Sequence, residues 1–420
     1  MANPTSQSRS FWPILTLIVA ATVLNYVDRG SLSLAAPLLK TEWGLTSTQL
    51  GILLSSFFWT YTLLQVPVGW LSDRMNASVV LGTGFLLWSL ATAGSALAVG
   101  VGTLLAMRLF LGVGESVMFP AASKIFALHV PEESRGVANA LMTAAMRWGV
   151  AVGTLGGGLL IARYSWRTTF LIIGLGSLVW LPAWVYWRPR GAPTEELHRI
   201  ALPSFGAILR QRAFWCAGFG HFCANYLVYF MLTWLPTYLV QERHESIVTM
   251  TTLVSTIWAA DSLSTVATGW LTDLAIRSGV STTRARKTAS GIGYTWASIA
   301  LAAMAFSGPR SYVWCLLAVA VGCGFSNAGT FAIGQTLAGP RAAGKWIGMQ
   351  NCIGNMAGVI GPALTGWLVD RTGNFRVAFA VASGVTVLGF FSWIVGVRKI
   401  EPVDWGVANA EPGSPVVTPH

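Results

Sequence analysis

Charge is what this chain has least of. Only 10% of its 420 residues are Asp, Glu, Lys or Arg, against about 25% in average soluble domains. That scarcity excludes an ordinary soluble enzyme. The net charge is +11, yet the basic residues form no patch interleaved with aromatic side chains, so nucleic acid is not an expected partner. Cysteine is also sparse. Cys216, Cys223, Cys315, Cys323 and Cys352 show no C-x-x-C spacing, which removes metal clusters and disulfide frameworks and leaves small core residues. Gly-x-Ser-x-Gly, H-E-x-x-H and P-loop motifs are missing too, so neither a catalytic constellation nor ATP as a driving force is expected. What remains is apolar: 54% hydrophobic residues, 20 Trp and a mean hydropathy of +0.59. The composition is that of an all-α, polytopic membrane protein with the lipid bilayer as its solvent.

Twelve apolar spans are predicted, at about 11–39, 46–71, 77–99, 101–128, 136–162, 167–188, 213–240, 246–272, 287–306, 311–338, 342–369 and 375–397. No cleavable signal is expected, because residues 1–10 are polar and the first apolar run is too long for one. An even number of spans leaves both termini on one side. That side carries 17 of the 27 Lys and Arg and the opposite side 7, so the positive-inside bias places both termini in the cytoplasm. Five segments follow: an N-terminus (1–10), a six-helix bundle (11–188), a polar linker (189–210), a second six-helix bundle (211–398) and a disordered tail (399–420). A monomer is the default expectation.

Against this apolar background a few ionisable residues stand out. Asp28 and Arg29 lie inside the first span, at membrane depth, where such groups cost several kcal/mol unless they face protein, water or each other. Arg108 and Glu115 are seven residues apart, two turns along one face of the fourth span. Burial and a nearby cation pull a carboxyl group's proton affinity in opposite directions. Asp28 and Glu115 can therefore load and release protons as their surroundings change; the structural alternative is a static ion network. The Arg29 guanidinium is a rigid fork suited to a carboxylate, with Tyr26 three residues before it on the same face. Arg147 in the fifth span either supplies a second cation, favouring dicarboxylates and aldarates, or is satisfied by Asp261 of the eighth. In the second half Asn351 and Asn355 are stacked one turn apart. Gln350, Asn327, Thr330 and Gln335 lie nearby, and His221 and Asn225 are weaker candidates.

The chain also repeats itself. Gly69-Trp-Leu-Ser-Asp73 closes the second span and Gly269-Trp-Leu-Thr-Asp273 the eighth, 200 residues later. A third copy, Gly366-Trp-Leu-Val-Asp370-Arg371, closes the eleventh on the opposite face. Such duplication predicts two bundles rocking about a central site. Gly69, Asp73 and Arg74 are expected to gate it, with Gly allowing close helix approach and Asp73 accepting from helix N-termini or cations.

These features resemble the major facilitator superfamily and, within it, the anion:cation symporter family of bacterial sugar-acid carriers and sialin-type carriers. The resemblance spans residues 11–398. It rests on Asn25-Tyr26-Val-Asp28-Arg29, Phe57-Phe58-Trp59-Thr60-Tyr61, Gln65-Val-Pro67, Gly69-Trp-Leu-Ser-Asp73-Arg74, Arg108-Leu-Phe-Leu-Gly112-Val-Gly114-Glu115, Trp234-Leu-Pro236 and Gly348-Met-Gln-Asn351-Cys-Ile-Gly354-Asn355. Asn76-Ala77-Ser78 departs from the superfamily pattern, which weakens the expected latch. The resemblance implies proton coupling through Asp28 and Glu115, with Arg108 as partner of Asp28. It also implies substrate contacts from Tyr26, Arg29, Tyr61, Thr330, Phe331 and one of Asn351 and Asn355. The implied activity is proton-coupled import of an organic anion, an aldonate, hexuronate or aldarate, in a bacterial inner membrane, with no cofactor besides the coupling proton. Rival readings are import of another carboxylate (an aromatic acid, tartrate or phthalate), a proton-driven drug exporter, a channel, or a sensor on a transporter fold. The last two lack support: a channel does not explain the duplication, and the linker is too short for a signalling domain.

Overall fold

A computed structural model describes residues 11–130, 132–189 and 203–405; the side chains of 73, 127, 132–137, 140, 340, 341 and 343 are outside that set. The N-terminus 1–10 and most of the expected linker and tail lie outside the described residues. Among the described residues the chain forms twelve membrane-crossing helices and no strand. They are α1 (Phe11–Glu42), α2 (Ser47–Arg74), α3 (Ala77–Ser95), α4 (Val101–Phe126), α5 (Glu132–Arg163), α6 (Trp166–Trp187), α7 (Arg212–Thr237), α8 (Ile247–Arg277), α9 (Thr282–Met304), α10 (Tyr312–Gly339), α11 (Gly344–Thr372) and α12 (Arg376–Gly396). The first six form one bundle and the last six the other. They meet along α1–α7, α2–α11 and α5–α8.

Nine of these helices are long and apolar enough to cross a membrane by composition alone. The other three are α7, α8 and α9. In α8 a hydropathy scale counts each hydroxyl as polar, but the fold spends it inside the helix. Thr252, Ser255, Thr256, Ser262, Thr265, Thr268 and Thr272 each donate to the carbonyl four residues back. The segment therefore shows lipid and neighbours few free donors.

Four span ends differ from expectation by four or five residues, and two of them are the starts of α5 at Glu132 and α9 at Thr282. α3 stops at Ser95 rather than continuing to 99, because the Thr103 hydroxyl accepts from Val99 and Gly100 N–H and fixes a turn there. α8 continues past 272 to Arg277. Between α10 and α11 the chain reverses at Gly339, whose φ of 66° favours glycine.

Two helices are interrupted beside functional candidates. α4 breaks after Glu115 and resumes at Met118. Pro120 accounts for this, since its ring cannot pass the carbonyl four residues earlier in a continuous helix. α10 breaks at the corresponding depth, after Asn327, and resumes at Thr330.

We call the side where α1 begins the near face and the opposite side the far face. At the far face the two bundles are fastened through the N-terminus of α2. Helix starts leave four N–H groups without helical partners. A capping box serves two of them: the Thr46 hydroxyl accepts from Gln49 N–H, and Gln49 Oε1 accepts from Thr46 N–H. The other two belong to the opposite bundle. Ser47 N–H donates to Asp370 Oδ1 at 2.8 Å and Thr48 N–H to Oδ2 at 2.6 Å, and the Thr48 hydroxyl donates to Oδ2 as well. Backbone approaches backbone closely here. A Cβ on Gly366 would lie 2.1 Å from the Ser47 carbonyl oxygen, and one on Gly51 2.4 Å from that of Pro362.

Contact between α2 and α11 continues to Asn351 Nδ2, which donates to Gln65 Oε1 at 3.1 Å. From Ser47 to Gln65 that is roughly 27 Å of helix at 1.5 Å per residue. Four residues further toward the near face, a Cβ on Gly69 would meet nothing within 4 Å. The engaged copy of the repeated motif is thus the one ending in Asp370.

Removing the Asp370 charge should release the far face. With Leu54→Cys in a background lacking the native cysteines, Asp370→Asn is expected to speed labelling by a membrane-impermeant maleimide added from that face. About tenfold corresponds to the 1–2 kcal/mol of a well-placed charge at a helix N-terminus. An unchanged rate would show that this contact does not hold the face shut.

Candidate functional site

Asp28 and Arg29 occupy consecutive positions on α1, so their side chains leave the helix in different directions, and both are buried. Arg29 reaches α4. Its Nε donates to Glu115 Oε2 at 2.8 Å, with the two side chains 4% and 0% exposed. Arg108 and Glu115 are both buried on α4, as their spacing predicts. Asp28 lies within electrostatic reach of Arg108 and Glu115, with the Thr92 hydroxyl beside it, but neither Arg29 nor Arg108 donates to its carboxylate. The direct ion pair is therefore Arg29–Glu115.

Three aromatic rings surround the Arg29 guanidinium, with centroids 4.6 Å (Tyr26), 4.4 Å (Tyr61) and 5.2 Å (Phe57) from Cζ. Such rings attract a cation through their negative faces and leave its edge free for hydrogen bonds. Nη2 has no partner. Arg108 Cζ lies 5.2 Å from the same Phe57 ring, so one aromatic side chain touches both arginines. Above them Leu32, Ser33, Leu54, Leu232 and Thr233 help enclose a cavity of about 10 Å³, near the minimum for one water.

From the second bundle, Tyr229 of α7 reaches this cluster, within electrostatic range of Arg29, Tyr26, Tyr61 and Glu115. Its hydroxyl donates to Asn355 Oδ1, and Asn355 Nδ2 donates to the Asn351 carbonyl at 2.8 Å. With the Asn351–Gln65 bond this makes a polar chain from Tyr229 across to α2. Sequence reasoning missed Tyr229. The signal was present in the 200-residue register of the repeat: Asn225-Tyr226 answers to Asn25-Tyr26, and Tyr229 then falls where Arg29 stands. Phe57 was likewise quoted for resemblance without a role.

Thr330 and Phe331 form a separate group in the second bundle. Gln350 Nε2 lies 3.4 Å from the Thr330 carbonyl, and Phe331 meets His221 edge to face at 5.2 Å. Arg147 takes the second of the two courses foreseen for it: Nη1 contacts Asp261 Oδ2 at 2.7 Å, joining α5 to α8. At the near face Arg74 is exposed and stacks over Trp70 at 4.4 Å. The Asp73 side chain lies outside the described residues.

A buried pair is costly to break from one side, because the remaining charge stays dry: about 3–5 kcal/mol. Arg29→Gln and Glu115→Gln should each lower the melting temperature of the detergent-purified protein by several degrees. The double variant should recover most of the loss. Additive losses in the double variant would rule out direct pairing.

Comparison with known proteins identifies the family and the fold. The model of the Major Facilitator Superfamily matches residues 18–339 and 278–419. The hexuronate transporter of Bacillus subtilis is 28% identical over 97% of this chain and 99% of its own length. The D-galactonate transporter of Escherichia coli is 29% identical over 96% and 99%. A probable chloroplastic anion transporter of Oryza sativa is 31% identical over 91% and 68%. Among solved structures, a bacterial homologue of the human lysosomal transporter Spinster superposes with a TM-score of 0.78 at 17% identity, covering 92% of this chain and 96% of its own. Two six-helix bundles meeting at a buried charged centre, matched by that family model over most of the chain, establish a membrane transporter rather than an enzyme: this protein belongs to the Major Facilitator Superfamily.

Proposed function

We propose that this protein imports a sugar acid together with a proton, by alternating exposure of the Arg29 site to the two faces. The observation that carries the reading is the Arg29–Glu115 contact at 2.8 Å inside an aromatic enclosure, with Nη2 left over. While Glu115 is ionised it occupies the guanidinium that a substrate carboxylate needs. A proton on Glu115 removes that competitor's charge, and a carboxylate then takes its place on Arg29 with net charge unchanged. One proton and one carboxylate enter together for that reason. Asp28, facing Arg108, is the second carboxyl available to carry the proton onward.

Hydroxyl recognition falls to the Tyr26, Tyr61 and Tyr229 phenols and to Asn351 and Asn355, groups able to donate and accept in turn. Such a set suits a polyol better than an aromatic acid or a cationic drug. The relatives named as hexuronate and D-galactonate transporters support an aldonate or hexuronate cargo. The charge bias of the loops supports a cell membrane with both termini cytoplasmic. The far face is then external and the described conformation is sealed against the outside. A monomer suffices, since both bundles of the site come from one chain.

The test is uptake into proteoliposomes holding a pH-sensitive dye, challenged with aldonates, hexuronates, dicarboxylates and neutral sugars. Internal acidification is expected with sugar acids and not with neutral sugars. It should fall at least about a hundredfold in Glu115→Gln, the scale of losing a charge-assisted contact of roughly 3 kcal/mol, and should also fall in Asp28→Asn. Uptake without a pH change, or following sodium, would overturn proton coupling.

A further inference from the structure

The Arg147–Asp261 pair is not used by that mechanism. It lies near the middle of α5 and α8, one partner from each bundle, at 2.7 Å with the side chains 20% and 2% exposed. Its position bears on the substrate. The Tyr26 hydroxyl lies within electrostatic reach of both Arg29 and Arg147. The register of the repeat supports the same placement. Tyr61 stands eight residues before Gly69, and Asp261 eight residues before Gly269. Asp261 thus holds in α8 the place that Tyr61, 4.4 Å from the Arg29 guanidinium, holds in α2.

We propose that Asp261 sets the charge selectivity of the site: by holding Arg147 it withholds a second guanidinium between the bundles from the substrate, and so restricts the cargo to anions with a single carboxylate. The inference rests on the sugar-acid reading and narrows it to aldonates and hexuronates, against aldarates. The physical reason is a count of charges. Arg29, Arg108 and Arg147 face Glu115, Asp28 and Asp261, three cations against three carboxylates at membrane depth. One carboxylate arriving with one proton preserves that balance. A second carboxylate, at the distal end of an aldarate, would find its cation occupied and would stay uncompensated in a dry site. The Asp261 side chain is itself buried, 2% exposed, with Arg147 against it. Cys323 of α10 is the third group against it.

The experiment compares D-gluconate with D-glucarate, the same chain with one or two carboxylates. Each competes for sugar-acid uptake into proteoliposomes containing native protein, Asp261→Asn, or the double variant Arg147→Gln/Asp261→Asn. Native protein is expected to prefer gluconate at least tenfold. Asp261→Asn, which frees Arg147, should shift the ratio toward glucarate by tenfold or more, and the double variant should return it toward the native value. Should Asp261→Asn fail to assemble, the double variant decides, because both charges leave together: a native-like ratio supports the proposal and a collapse of gluconate binding overturns it. A native protein that takes glucarate as well as gluconate, or an active Asp261→Asn with an unchanged ratio, also overturns it. Native protein that takes up no sugar acid at all overturns the functional reading along with it.

Discussion

A guanidinium moved from water into a protein interior loses hydration worth several kcal/mol even after relaxation, and only a well-placed opposite charge recovers it. Arg29 meets that requirement through Glu115, and much of the central architecture is arranged so that it can. α1 must lie close enough to α4 for a 2.8 Å contact. α2 must present Phe57 and Tyr61 to the guanidinium's faces. α4 ends its first stretch immediately after Glu115, which places the carboxylate at a local end of regular helix. Under the proposed function a substrate carboxylate enters by replacing one half of this pair, so the interaction that makes the arginine tolerable in the membrane would also make it selective.

Outside the centre, the same economy of charge appears in a different form. Asp370 satisfies two backbone donors that would otherwise be orphaned at the start of α2, and it does so from the other bundle. Helix capping, normally local, here becomes a contact between the two bundles. The near-face copy, around Gly69, faces open space in the same conformation. An engaged Asp370 at one face and open space beside Gly69 at the other make the asymmetry that a two-state rocking mechanism would use.

Much of the fold could be read from residues. Spans follow from long apolar runs, and Asp28, Arg29, Arg108 and Glu115 stood out because charge at that depth is expensive. What the linear order does not contain is which helix lies beside which. Asp28 and Arg108 were expected to pair, yet the direct partner of Glu115 is Arg29, a choice made by the α1–α4 distance and by side-chain directions on α1. Arg147 had two possible fates, and only the packing of α5 on α8 selects between them. Tyr229 was legible in principle, through the repeat register, but a tyrosine in an aromatic-rich helix carries no signal until its counterpart Arg29 is known to matter. The end of α3 was missed for a simpler reason: residues 96–99 are apolar, and the turn is fixed by a single hydroxyl on Thr103.

The three helices too polar to qualify as spans by composition are consecutive: α7, α8 and α9, directly after the linker. A segment of that kind partitions weakly into lipid alone, because its hydroxyls and amides gain only when neighbouring helices surround them. During synthesis the first bundle is complete before any of them emerges. α7 and α8 can then lie against α1 and α5, finding a protein wall where a solitary helix would find only hydrocarbon. The order of the two halves along the chain is thus also an order of assembly: the strongly apolar bundle enters the membrane on its own account and becomes the surface on which the more polar one is built.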